Sequence, residues 1–66
     1  MLSKKVVGEM DNKDLLKEFR SVISAIIVEV NSRRGLTKGT EKAEKLLTEE
    51  LCLRLGFEYN PDDWHW

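Results

Sequence analysis

Apolar residues stand at Leu15, Leu16, Phe19, Val22, Ile23, Ile26, Ile27 and Val30, with steps of +1, +3, +3, +1, +3, +1 and +3. That spacing keeps one side of a helix apolar. At about 100° per residue the set fills an arc of roughly 140°, with Lys17, Ser21 and Ser24 opposite. Asp11 stands before the run as an N-cap, and Asp14 follows at the positive end of the helix dipole. Met10 and Leu15 are spaced as a hydrophobic staple across that cap. Arg33 and Arg34 suit a last turn, and Gly35 suits a left-handed cap. The stretch from Val22 to Val30 is β-branched enough for a strand, but Ala25-Ile26-Ile27-Val28 breaks the alternation a strand needs. The pattern predicts a helix over about 11–34.

The break Gly35-Leu36-Thr37-Lys38-Gly39 comes next. Thr40 then caps a second helix over about 40–55, with Glu41 and Glu44 in its first turn and Gly56 as its stop. Its apolar positions are Ala43, Leu46, Leu47, Leu51, Leu53 and Leu55. So short a connection makes the two helices antiparallel neighbours. The first should be roughly 35 Å long and the second roughly 22 Å. Leu15, Leu16 and part of Phe19 would then lack a partner from the second helix. Either the aromatic tail 57–66 folds over them or a second chain does. The expected fold is all-α: a two-helix hairpin with an N-terminal arm over 1–10 and an aromatic tail, completed as a dimeric four-helix arrangement.

Composition sharpens the expectation of a partner. The 66 residues make one domain, 41% hydrophobic and 35% charged, which is globular rather than disordered. A chain this short buries only roughly 60% of the surface its unfolded form exposes. Disulfides, metals or oligomerisation usually make up the shortfall. Cys52 is the one cysteine, so no internal disulfide forms, and a reduced, cytoplasmic setting is expected. Cys52 and His65 show no paired-ligand spacing, so neither metal nor cofactor is expected. The start of the chain carries no apolar stretch of signal-peptide length, and Ala25 to Val28 is far short of a membrane span. Residues 1–34 hold seven Lys/Arg and five Asp/Glu, whereas residues 35–66 hold four and seven. A chain positive in one half and negative in the other complements a second copy laid head to tail.

Three clusters are candidate sites. Glu50 and Arg54 project to about 340° and 20° from Ala43, the centre of the second helix's apolar arc, one turn apart in the favoured order. They read as a polar anchor inside an interface, or as an edge pair whose stems lie along apolar surface. Phe57, Tyr59, Trp64 and Trp66 surround the turn signal Asn60-Pro61-Asp62-Asp63. Tyr59, Trp64 and Trp66 would be partner contacts if the tail docks on another protein, and core if it folds inward. Arg33, Arg34 and Lys38, with the Thr37 and Thr40 hydroxyls, could hold a phosphate at a helix start, or simply answer the negative end of the first helix. Cys52 projects to about 180°, away from the apolar centre, and no nucleophile has an evident base.

The function expected is that of a non-enzymatic, self-associating protein–protein interaction module, such as an accessory or inhibitor protein of a phage or mobile element. Two likenesses give alternatives. In length and architecture the hairpin resembles the two-helix dimers that bind paired RNA loops in plasmid copy control, which implies nucleic-acid binding. Lys13, Lys17 and Arg20 make only a thin basic stripe for it. Ser32-Arg33 followed by Thr40 resembles the helical-hairpin nucleotide sponges of phages, which implies capture of a small nucleotide.

Overall fold

The computed structural model describes residues 2–63. Its elements are α1 (Lys4–Glu9), α2 (Asn12–Val30), α3 (Lys38–Leu55) and a single 3-10 turn at Pro61–Asp63. Among the described residues there is no strand, and no helix is long and apolar enough to cross a membrane. The two long helices run antiparallel. Asn12 at the start of α2 meets Arg54 at the end of α3, and Glu29 near the end of α2 meets Thr40 at the start of α3.

The segment expected as an N-terminal arm is a helix instead. Ser3 caps α1 by accepting the Val6 N–H at 3.3 Å, and Met10, in an extended conformation, ends it. Six residues are too few for a helical period to show in the sequence, and an isolated helix this short does not persist in water. Its stability comes from docking: Val7 is 1% exposed.

Both ends of the loop also move. Asp11 caps α2 as expected, its Oδ1 accepting the Asp14 N–H at 2.8 Å. The helix stops at Val30 rather than Arg34, because the side chains after it take up its carbonyls. Asn31 Nδ2 donates to Ile27 O and the Ser32 hydroxyl donates to Glu29 O, both at 2.8 Å. Arg33 and Arg34 therefore lie in the exposed turn beyond the helix. The next helix starts two residues early, at Lys38, with Thr37 rather than Thr40 as its cap. It ends as expected at Gly56, where φ is 89°. The Gly56 N–H reaches Leu53 O and the Phe57 N–H reaches Cys52 O, a Schellman closure that only glycine enters without strain. With 19 and 18 residues, α2 and α3 are matched at roughly 28 Å, so the expected overhang is gone.

The core is built from three helices rather than two. Val7 of α1, Leu15, Val22 and Ile26 of α2, and Leu47 of α3 form one buried cluster. Leu15, expected to need the tail or a second chain as cover, is fully buried in the three-helix core, while Leu16 stays 54% exposed. The tail instead returns along α3, placing Tyr59 and Pro61 beside Glu41, Glu44, Lys45 and Leu36. Because α1 takes one side of α3, the buried arc of that helix is turned about a quarter turn from the leucine-centred projection. Leu53 and Leu55, expected inside, are exposed. Cys52, expected to point away, is 2% exposed. Thr48 is buried too, its hydroxyl donating to Glu44 Oε1 at 3.0 Å.

This arrangement separates two leucines of one helix. Leu47→Ala empties space at the junction of all three helices and should cost about 2–5 kcal/mol. Leu53→Ala should stay within about 0.5 kcal/mol. Urea midpoints of the two variants read the difference directly, and equal losses would contradict the three-helix core.

Candidate functional site

Arg54 reaches from α3 to the corner where α1 turns into α2. Its Nε donates to Glu50 Oε2 at 2.7 Å and its Nη1 to Asn12 Oδ1 at 2.8 Å. Nη2 donates to Met10 O at 2.5 Å, with Val7 O at 3.4 Å and Gly8 O at 3.5 Å. The guanidinium thus adds donors at the end of α1, where Gly8 O and Met10 O have no helical donor and Val7 O already accepts the Met10 N–H. The side chains of Arg54 and Glu50 are 22% and 17% exposed, and the partners of the pair all lie within the chain. It is a clamp within the chain, and the one ion pair among the described residues.

At the hairpin turn the chain supplies its own anion to the start of α3. Glu29 Oε1 accepts the Thr37 N–H at 2.8 Å, and Oε2 accepts the Thr40 hydroxyl at 2.6 Å. The Thr40 N–H donates to Thr37 Oγ1 at 3.3 Å. The Thr40 hydroxyl, then the Thr37 N–H and side chain, hold the Glu29 carboxyl below its ordinary 4.5, against a smaller opposing effect of burial. A carboxylate from α2 therefore occupies the start of α3, where a phosphate would bind. Arg33, Arg34 and Lys38 are exposed, and none of them forms an ion pair among the described residues.

In the tail, the Asp62 N–H donates to Asn60 Oδ1 at 3.1 Å and the Asp63 N–H to Asn60 O at 3.0 Å, the turn the sequence announces. Tyr59 is half-buried. Desolvation, then the charges of Glu44, Glu49 and Cys52, push its hydroxyl above the ordinary 10.0. Of the three expected tail contacts, Trp64 and Trp66 lie outside the described residues, as does His65.

The surface that sequence reasoning did not single out is the outer half of the α2 arc. Phe19 and Ile23 of α2, with Leu51 and Leu55 of α3 and Phe57 after it, line a groove of about 270 Å³. Leu16 and Ile27 extend the same stripe along α2 in both directions, and they are 54% and 58% exposed. Its signal was present in the sequence, since an arc of roughly 140° is wider than contact with one neighbouring helix requires. A larger cleft of about 610 Å³ lies between α1 and the tail, floored by Val7, Leu46 and Leu53. Among the described residues no group of His, Cys, Asp and Glu could hold a metal ion.

Compared with protein-family models, curated proteins and solved structures, the chain matches none of them.

Two substitutions test these assignments. Arg54→Met keeps the stem and removes the donors, and should cost about 1–3 kcal/mol. Amide exchange should show α1 losing protection while the α2–α3 core retains it. Glu29 acts through pH: its folded pKa is depressed, so its contribution is present above about 4.5 and is lost as pH falls through the folded value. Glu29→Gln should lower stability at neutral pH and flatten the loss in acid, as read by thermal melts across that range.

Proposed function

We propose that this chain is a non-enzymatic protein–protein interaction module that associates with itself through the α2–α3 apolar groove. The observation carrying this reading is the α2 stripe, on which Leu16 and Ile27 remain more than half exposed beside half-buried Phe19 and Ile23. Isolated surface leucines are ordinary, whereas a continuous apolar patch on a small protein marks an association site. The hairpin lays two antiparallel helices side by side, and a second hairpin against them gives a dimeric four-helix arrangement. The polar groups best placed for chemistry have structural duties: Arg54 and Glu50 hold α1, and Glu29 caps α3. Cys52 is buried. A module of this kind acts by occupying a surface, as an accessory or inhibitor protein does.

Sedimentation equilibrium at micromolar concentration should give a particle of twice the 7.7 kDa chain mass. Ile27→Asp with Leu55→Asp should return it to a single chain while the helical circular dichroism is unchanged, because both side chains are exposed. A wild-type particle of one chain mass would overturn the reading.

A further inference from the structure

Charges on the two groove helices are sorted by side. Along α2, Lys13 and Arg20 follow the edge of the apolar stripe and Lys17 lies just behind it, while Asp14 and Glu18 project to the far side. Along α3 the order is reversed: Glu41 and Glu44 face the groove side, with Lys45 beside them at the Tyr59–Pro61 cleft, while Lys38 and Lys42 lie behind. Glu44 lines the groove itself. Lys13, Lys17, Arg20 and Glu41 are exposed, and none has an ion-pair partner within the described residues.

The antiparallel hairpin puts these two charged corners at opposite ends of one apolar strip. The basic corner belongs to the first half of α2, at the Arg54 end of the molecule. The acidic corner belongs to the first turns of α3, at the Glu29 end. A surface that carries opposite charges at its two ends, with an apolar middle, is complementary to itself after a two-fold rotation that exchanges those ends. Each basic corner then meets the partner's acidic corner, and the Phe19–Ile23 centre meets its own copy. The apolar stripe drives association and the corners fix its direction, since charge complementarity governs register and partner choice more than raw affinity. A standard interface takes roughly 800 Å² from each partner, about a seventh of the 5300 Å² this chain exposes.

We infer that the groove's occupant is a second copy of this chain, docked by a two-fold axis that sets Lys13, Lys17 and Arg20 of each protomer against Glu41 and Glu44 of the other. This rests on the self-association proposed above and adds its geometry. It also states what the groove rejects: a copy laid in any register that leaves like-charged corners facing each other.

Charge exchange tests the arrangement. The variant Lys17→Glu/Arg20→Glu makes the basic corner acidic. The variant Glu41→Lys/Glu44→Gln makes the acidic corner basic and keeps an acceptor for the Thr48 hydroxyl. Alone, each should dimerise at least about tenfold more weakly than wild type, because both of its corner contacts become repulsive. Mixed in equal amounts, the two should form a heterodimer near wild-type affinity, which also shows that both variants fold. Wild-type association should weaken as salt rises from about 0.05 to about 0.5 M. If wild type dimerises but neither exchange alters its affinity, this geometry is wrong and self-association stands. A wild-type monomer would remove both.

Discussion

The carbonyls at the end of α1 need donors, and Arg54 supplies them. A six-residue helix has too few internal hydrogen bonds to persist unaided, so α1 exists where its side chains and its exposed backbone ends are both satisfied. Val7 supplies the first condition by entering the core, and the guanidinium supplies the second at Met10 O, with Val7 O and Gly8 O near its reach. Glu50 orients the guanidinium from one turn away, and Asn12 ties it to the first residue of α2. Much of the remaining architecture follows from this contact. With α1 held on one side of α3, Leu15 and Leu47 are sealed, and α3 presents Thr48, Leu51 and Cys52 toward α2 instead of its leucine-richest side.

Capping chemistry was legible at three points and misread at the start of α3, where Thr37 rather than Thr40 is the cap. Asp11, Gly56 and the Asn60 turn each rely on one side chain or one backbone geometry, and each holds where the residue types place it. The end of α2 was harder to read because two local effects compete. Arg33, Arg34 and Gly35 suit a helix terminus, but Asn31 and Ser32 hydrogen-bond to the helix carbonyls first. The buried side of α3 was misplaced for a different reason. A helical projection finds the densest apolar arc, which is the correct core side only where a helix has one neighbour. Here α3 has α1 and α2 on different sides, so Glu50 and Arg54 can sit at the centre of that arc and still be fully partnered.

At the hairpin turn, two of the residues read as an anion site take a carboxylate from the chain itself. Two arginines, a lysine and two threonines near a helix start suggest an anion to be bound. The two threonines are taken up by Glu29, which stands eight residues before Thr37 and eleven before Thr40, at the end of a different helix. Local motif reading does not pair residues across a loop, so the carboxylate passed for one more charge on α2. Paired with Thr37 and Thr40, Glu29 is the latch that closes the hairpin opposite the Arg54 clamp. The two ends of the α2–α3 pair are thus fixed by polar contacts, and the apolar residues between them fix their spacing.

The same bookkeeping explains why the outer half of α2 remains open. Docking α1 satisfies Leu15 and Leu47, which removes the need for the tail at that position, and the tail packs along α3 instead. No element described in the chain then reaches the side of α2 that carries Leu16 and Ile27. Evolution could close such a stripe with polar substitutions at little cost, since exposed positions tolerate them within about 0.5 kcal/mol. Instead the stripe holds large aliphatic side chains at helical spacing, bordered by lysines and arginine on one helix and glutamates on the other. An apolar strip with ordered charges at its ends supports the self-association proposed above, because random exposure would favour neither the continuity nor the sorting.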